Sequence, residues 1–215
     1  MVNGCAWRAL PSEFGPWFTI FQFFNRLSKR GFGAFLQQRM KLGHTAEAVF
    51  FDSTHCKVHQ HANGPGGQKN QGIGRSRGGR NTKVHLAIDG LGRLAALPVF
   101  TPGNVSDFTA APKLTGRLRN TAGVGDKGFD SAKIRRGLRA RGCEACIPYR
   151  RNVKIKEPYD EDLYRARHCI ENLFQRIKTF RRVAMRFEKT LRMFAEFVTF
   201  SILAVYEADE LWLPM

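Results

Sequence analysis

Apolar and polar positions change from helical to strand periodicity along the chain, and the order of these segments predicts a mixed α/β fold. Residues 1–44 carry aromatic residues at helical spacing with a break at Gly31, which predicts two helices. An apolar run leads into looser alternation over residues 46–60, typical of a strand that enters a core. Residues 61–80 are rich in glycine and lack apolar periodicity, which favours a loop.

The second part of the chain alternates between strand-like and helix-like segments. Two apolar segments around the turn D-G-L-G predict a hairpin. The predicted elements are this hairpin over 82–104, a helix over 105–118 interrupted at Pro112, a strand over 120–126, a basic helix over 131–142, a buried strand over 143–150, a long helix over 159–182, and a last helix from about Leu191 to Asp209.

This order predicts an α/β domain with a mixed sheet flanked by helices. We expect a small helical N-terminal segment over residues 1–44, and a main domain over residues 45–215. Apolar residues make up 43% of the chain, which is enough for a substantial core.

The charge of the chain indicates a polyanionic partner. Its 215 residues carry a formal net charge of +17, and six basic residues but no acid lie between Ser53 and Ile88. Nucleic acid is the commonest polyanion that such proteins bind.

Membrane and secretory classes are disfavoured by the same sequence. The start has no basic segment followed by an apolar run, and the longest apolar stretch is short and contains Glu196. The five cysteines are an odd number without framework spacing. We therefore expect reduced thiols, no membrane partner, and a cytoplasmic protein associated with the nucleoid.

A lone acid, Glu171, stands among six Arg and Lys residues over 164–182. On a helix, Tyr164, Arg167, Glu171 and Lys178 fall together on the flank of the apolar stripe. The simplest interpretation is an ion pair between Glu171 and Arg167 one turn earlier.

Two further acids favour a second interpretation. Asp52 follows the apolar run VFF, and Asp126 follows AGVG, so each is expected at the C-terminal end of a strand, where α/β sheets place ligands. With Glu171 they could converge on one point. Close carboxylates repel one another, and Mg²⁺ or Mn²⁺ would relieve this because hard cations select oxygen ligands. A pair of such ions catalyses phosphoryl transfer.

Several motifs resemble the insertion sequence five family of bacterial DDE transposases. They are D-S-T at 52–54, R-S-R-G-G-R-N-T-K-V-H-L at 75–86, T-P-G-N-V-S-D at 101–107 and D-K-G-F-D-S at 126–131. The family's Y-x2-R-x3-E-x6-K pattern is matched at Tyr164, Arg167, Glu171 and Lys178. The resemblance extends from about Trp7 to the final helix.

The resemblance implies a ribonuclease-H-like core whose acidic triad is Asp52, Asp126 and Glu171. It implies metal-dependent cleavage of element ends and transfer of the freed 3′-hydroxyl to target DNA, with two Mg²⁺ or Mn²⁺ ions bound by the triad. We expect double-stranded DNA and further copies of the chain as partners. The expected DNA contacts are Tyr164, Arg167, Lys178, Arg75, Arg77, Arg80, Lys83, Lys127, Arg181 and Arg182. The stretch NGCAWRALPSEFGPW resembles one found further inside these proteins, so the chain is expected to be shortened at its N-terminus.

Alternatives to a transposase stay open. A catalytically idle remnant that binds DNA and inhibits transposition would share the basic surface, and a structure-directed nuclease would share the core. A zinc site is disfavoured because the C-x2-C pair has no second such motif. Its candidate ligands are His55, His59, His61, Cys143 and Cys146. Asp107 and Asp130 precede predicted helices and are expected to be caps.

Overall fold

The structure, a computed structural model, describes residues 4–33, 35, 46–62, 64, 66–154 and 156–210. The helices in this part are α1 (Trp17–Lys29), α2 (Gly67–Asn70), α3 (Ala111–Thr115), α4 (Ala132–Arg139), α5 (Glu161–Arg165), α6 (His168–Lys178), α7 (Arg181–Ala184) and α8 (Leu191–Glu210). The strands are β1 (Ala48–Val58), β2 (Gly74–Ser76), β3 (Gly79–Asp89), β4 (Val99–Pro102), β5 (Ala122–Gly125), β6 (Glu144–Cys146) and β7 (Met185–Arg186). One-turn 3₁₀ helices lie at Trp7–Ala9, Ser12–Phe14, Asp107–Thr109 and Lys127–Phe129.

The strands form one mixed sheet in the order β2-β3-β1-β5-β6, with β4 paired to β3 and β7 paired to β1. β1 is antiparallel to β3 and parallel to β5, and β5 is parallel to β6. The sheet therefore changes from antiparallel to parallel pairing at β1. This confirms the expected α/β class and the mixed sheet of a ribonuclease-H-like core.

Each face of the sheet is covered by its own apolar core. Phe50, Leu86 and Val124 belong to the core beneath α6, α7 and α8, whereas Phe51 and Ala87 belong to the core beneath α3 and α4. Neighbouring residues on a strand alternate between the two cores because their side chains point to opposite faces. Full burial of a side chain such as Phe51 contributes roughly 1.5–3 kcal/mol.

The N-terminal residues pack on α8 through aromatic rings. Trp7 lies edge-on to Phe21 at 5.4 Å between ring centroids, and Phe24 lies 4.7 Å from Phe197 of α8. α1 thus lies against the last helix. The predicted second N-terminal helix and the boundary at residues 44 and 45 lie largely outside the described residues.

Three predicted elements differ in the structure. The helix expected over 105–118 with an interruption at Pro112 is the 3₁₀ turn Asp107–Thr109 followed by α3, whose first turn contains Pro112. The expected long helix over 159–182 is divided into α5, α6 and α7, with turns at 166–167 and 179–180. The expected glycine-rich loop contains α2 and the edge strand β2, because β2 pairs with β3 over Gly74–Ser76 and satisfies its backbone hydrogen bonds. In the described part of the chain, every helix is too short or too polar to cross a membrane.

Candidate active site

Asp52 and Asp126 lie side by side at the centre of the sheet. β1 and β5 are paired in register, with Phe51 opposite Gly125, so each acid is the next residue beyond that pair. Adjacent strands are separated by about 4.8 Å, which places the two aspartates next to one another. Gly125 allows this packing, because a Cβ there would lie 2.3 Å from the Phe51 ring.

Asp52 is not at the end of its strand, which corrects the expectation from the sequence. β1 continues for six residues beyond Asp52, to Val58. It is β5 that ends, at Gly125, and Asp126 begins the 3₁₀ turn Lys127–Phe129 by accepting a hydrogen bond from the Gly128 amide at 2.8 Å. The acid on β1 therefore lies within a strand, beside the point where the neighbouring strand β5 ends.

Glu171 lies on α6, which covers the same face of the sheet. Asp52 shares this face with Phe50, since the two are two positions apart on one strand. Ile170 and Phe174 of α6 belong to the same core as Phe50. Burial is the main reason why the pKa of Asp52 is raised from about 3.8 to about 6, and the charges of Asp126 and Glu171 raise it further. The three acids therefore act on one another electrostatically.

Arg167 joins two of these acids. Its Nη1 donates to Asp52 Oδ2 at 2.5 Å, and its Nη2 donates to Glu171 Oε1 one turn later. Burial alone would lower the pKa of Arg167, but the charges of Asp52 and Glu171 leave it raised above the ordinary value. The expected ion pair between Arg167 and Glu171 is thus present, and it extends to Asp52.

The helix break places Arg167 at this position. α5 ends at Arg165 and α6 begins at His168, so Arg167 is the residue before the first turn of α6. The guanidinium lies 5.8 Å from the centre of the Tyr164 ring on α5. Arg167 therefore reaches the acids from a turn between two helices, with the Tyr164 ring of α5 beside it.

Lys178, the last residue of the four-part pattern, also contacts β1. Its Nζ donates to Thr54 Oγ1 at 2.6 Å, and Thr54 lies two residues beyond Asp52 on the same face of the strand. α6 therefore crosses β1 with Arg167 over Asp52 and Lys178 over Thr54. Arg167 and Lys178 of the pattern Y-x2-R-x3-E-x6-K thus contact β1, and Glu171 and Tyr164 lie beside Arg167.

The other predicted DNA-binding cations fall into two groups. Arg75, Arg77, Lys127 and Arg181 are exposed, and Arg80 is half-buried. Lys83 and Arg182 instead bind groups within the protein. The Lys83 ammonium donates to Val105 O and Asp107 Oδ1, both at 2.8 Å.

Arg182 is held in a similar way at the N-terminal packing surface. It donates to Glu188 and to the Cys5 carbonyl, and its guanidinium lies over the Trp7 and Phe197 rings. Lys83 and Arg182 are therefore predicted DNA contacts whose cationic groups already have acceptors within the protein.

The acids suit a divalent cation in their chemistry. All three offer carboxylate oxygens, the ligands that Mg²⁺ and Mn²⁺ prefer, and a cation would offset the repulsion that raises the pKa of Asp52. Among the residues described, however, no three His, Cys, Asp or Glu side chains are gathered closely enough to enclose a metal ion. Arg167 provides the positive charge between Asp52 and Glu171 in this arrangement.

The candidate zinc ligands are separated by the sheet. Cys143 belongs to the core under α3 and α4, whereas Cys146 belongs to the opposite core and donates a hydrogen bond to the Asp160 carbonyl.

Sequence reasoning missed the polar residues that hold the acids. Ser53 donates its amide to Asp52 Oδ1 at 2.7 Å and its hydroxyl to Asp107 Oδ1 at 2.9 Å. Asp107, expected to be a cap, contacts Ser53 and Lys83 instead, and Asp130 pairs with Arg135. The motifs D-S-T and T-P-G-N-V-S-D contain these residues, but their spacing does not show that they meet.

Comparison with known proteins identifies a protein family and a relative of the chain. Residues 43–206 match the family model described as transposase DDE domain. A relative from Brucella ovis, described as a candidate transposase for insertion sequence element IS6501, is 34% identical over 122 residues, which cover 54% of this chain and 91% of the relative. No solved structure matches the chain.

Proposed function

Because the chain belongs to the transposase DDE domain family, we propose that it catalyses metal-dependent DNA strand cleavage and strand transfer for an insertion sequence. The observation that carries this proposal is the placement of Asp52 and Asp126 beside one another, beneath the helix that bears Glu171. The four-part pattern on α5 and α6 favours the insertion sequence five group within the family.

Asp52, Asp126 and Glu171 would hold two Mg²⁺ or Mn²⁺ ions. When bound, such ions activate the attacking oxygen and stabilise the leaving oxygen of a phosphodiester. The protein holds the acids for this purpose through its backbone, because Asp52 accepts from the Ser53 amide and Asp126 from the Gly128 amide. These bonds fix the direction of each carboxylate before any ligand binds.

Arg167 and Lys178 would bind the phosphates on either side of the scissile bond. Both side chains reach the polar face of β1, and both have cationic groups that can exchange an internal acceptor for a phosphate oxygen. If Arg167 moves to a phosphate, it releases one oxygen of Asp52 and one of Glu171. DNA binding would thereby prepare the acids for the ions.

The exposed cations extend this surface away from the acids. Arg75 and Arg77 lie on the edge strand β2 and the turn after it, Lys127 follows Asp126, and Arg181 begins α7. Exposed Arg and Lys bind the DNA backbone without reading its sequence. We propose that the chain binds double-stranded DNA through these residues as a homo-oligomer, and that it associates with the nucleoid.

One observation favours a second candidate function. The cation between Asp52 and Glu171 is Arg167, and the acids as placed do not enclose a metal site in the described part of the chain. A protein that kept this arrangement on DNA would bind without cutting. It would then inhibit transposition by occupying the element ends.

The test incubates the purified full chain with Mn²⁺ and a labelled duplex that carries the terminal repeat flanking its gene. Cleavage at the repeat end, abolished by a chelator, supports the transposase. A gel shift without cleavage supports the idle DNA-binding protein. Cleavage that ignores the position of the repeat supports the structure-directed nuclease.

A further inference from the structure

Asp107 lies close to the acids but has no place in the proposed metal set. It is the first residue of the 3₁₀ helix Asp107–Thr109, and its carboxylate contacts residues of β1 and β3. Its Oδ1 accepts from the Ser53 hydroxyl at 2.9 Å and from the Lys83 ammonium at 2.8 Å. Asp107 therefore joins three separate segments of the chain.

The contact between Asp107 and Ser53 connects Asp107 to Asp52. Ser53 is the next residue on β1, and its amide donates to Asp52 Oδ1 at 2.7 Å. The Ser53 side chain lies on the opposite face of the strand, where Asp107 holds it. A shift of Asp107 would move Ser53 and thereby change the direction of the amide that orients Asp52.

Asp107 also lies close to Asp126, since both carboxylates are near Gly128. A Cβ added to Gly128 would lie 2.8 Å from Asp126 Oδ1 and 3.4 Å from Asp107 Oδ2, so both carboxylates lie next to this glycine. The Gly128 amide donates to Asp126 Oδ1. Asp107 thus borders the turn that orients the second acid.

The charge of Asp107 is balanced inside the protein. Lys83 is 8% exposed, and its ammonium contacts Asp107 and the Val105 carbonyl. The neighbouring His85 has Nδ1 3.9 Å from Asp107 Oδ1, and burial lowers the pKa of His85 to about 4, so the imidazole is neutral at pH 7. Lys83 is therefore the positive partner of Asp107, and Asp107 is available as a fixed acceptor.

We propose that Asp107 is a positioning residue, held by Lys83, that orients the Asp52 and Asp126 carboxylates for divalent-metal binding through Ser53 and Gly128. This inference rests on the proposed function. Residues that hold metal ligands by hydrogen bonds typically account for about 10- to 100-fold in metal affinity or activity. A role limited to stabilising the fold would instead lower the melting temperature and leave metal affinity unchanged.

The experiment measures Mn²⁺ affinity directly, by calorimetry or electron paramagnetic resonance, together with thermal unfolding in the absence of metal. Asp107→Asn is expected to weaken Mn²⁺ binding at least about tenfold at a temperature where the protein is folded. Ser53→Ala keeps the Lys83–Asp107 pair intact, and is expected to weaken Mn²⁺ binding by at least about threefold without a comparable loss of stability.

Asp89→Asn is the matched control. Asp89 is a buried carboxylate that, like Asp107, pairs with a cation, in its case Arg93 at the β3 turn. This variant is expected to lower the melting temperature and to keep wild-type Mn²⁺ affinity in the folded protein. Wild-type affinity in both Asp107→Asn and Ser53→Ala would overturn the positioning role while leaving the proposed function standing. A wild-type protein that binds no Mn²⁺ would overturn both.

Discussion

Asp52 and Asp126 occupy equivalent positions on two parallel strands, each one residue beyond the pair Phe51–Gly125. This relationship depends on the register between β1 and β5, because a slip of one residue would turn every side chain of a strand to the other face. It brings together two acids that are 74 residues apart in the sequence, by subtraction of their numbers. The predictions below depend on this pair and on the helix that covers it.

Glu171→Gln is expected to reduce Mn²⁺-dependent nicking at least about a hundredfold, because loss of an ionised metal ligand costs several kcal/mol of transition-state stabilisation. DNA affinity should stay within about twofold of wild type, since the amide keeps the size of the side chain. Nicking of a labelled duplex and a gel shift measure the two effects.

Glu161→Gln is the control, because Glu161 is an exposed acid on α5. Its nicking rate should equal that of wild type. Wild-type nicking by Glu171→Gln would remove Glu171 from the proposed site.

Arg167→Ala is expected to shift metal and DNA affinity in opposite directions. Loss of the guanidinium frees Asp52 Oδ2 and Glu171 Oε1, so we expect Mn²⁺ to bind about tenfold more tightly to the free protein. DNA binding should weaken, and its salt dependence should decrease by about one unit of slope. Calorimetry and salt titrations of DNA binding provide the measurements.

Lys178→Ala distinguishes the effect on DNA affinity from the effect on metal affinity. Lys178 contacts Thr54 and none of the three acids in the described structure, so its removal should reduce the salt slope by about one unit and leave Mn²⁺ affinity unchanged. A fall in Mn²⁺ affinity for Arg167→Ala would contradict competition between the guanidinium and the ion.

Mn²⁺ affinity is expected to decrease about tenfold when the pH falls from 7 to 5. Burial raises the pKa of Asp52 to about 6, so a proton occupies this carboxylate below pH 6 and must leave before a cation binds. The same proton also makes the stability of the fold depend on pH. Between about pH 4 and 6, Asp52 is protonated in the folded protein and ionised in the unfolded chain. The free energy of unfolding without metal should therefore decrease as the pH rises through this range.

Asp52→Asn removes this titration and is the comparison for both measurements. Its free energy of unfolding should lack the decrease between about pH 4 and 6 that wild type shows. An identical pH profile in wild type and Asp52→Asn would show that another group is responsible.

Gly128→Ala is expected to reduce nicking and Mn²⁺ affinity at least about tenfold, because its Cβ would lie 2.8 Å from Asp126 Oδ1 and displace the carboxylate. Gly90→Ala is the matched control, since a Cβ there meets no atom within 4 Å in the described structure. Equal Mn²⁺ affinity of these two variants would contradict the role of the 127–129 turn in holding Asp126.

The sequence predicted the mixed sheet because apolar runs and glycine turns mark strands directly. It did not predict the break near Arg167, since residues 159–182 keep a continuous helical stripe and contain neither glycine nor proline. Tertiary contacts of Arg167 with Asp52 accompany the break, and a helical pattern carries no information about them.

The sequence also did not predict which cations are exposed and which bind groups inside the protein. Lys83 and Arg77 lie in the same basic stretch, but Arg77 is exposed whereas Lys83 is buried and contacts Asp107. The β3 register decides this, because Lys83 pairs with His55 and lies on the same face as Ala87. Lys83 thus reaches Asp107 from a position that charge counting cannot distinguish from Arg77.

The long strand β1 also determines how the protein tolerates insertions. Its residues face the two cores alternately, so a gain or loss of one residue before Asp52 would turn this acid to the side of Phe51. The resulting protein could still bury a sheet and bind polyanions, but its carboxylates would be divided between opposite surfaces. Single-codon indels in this strand should therefore silence an element without removing its protein from the cell.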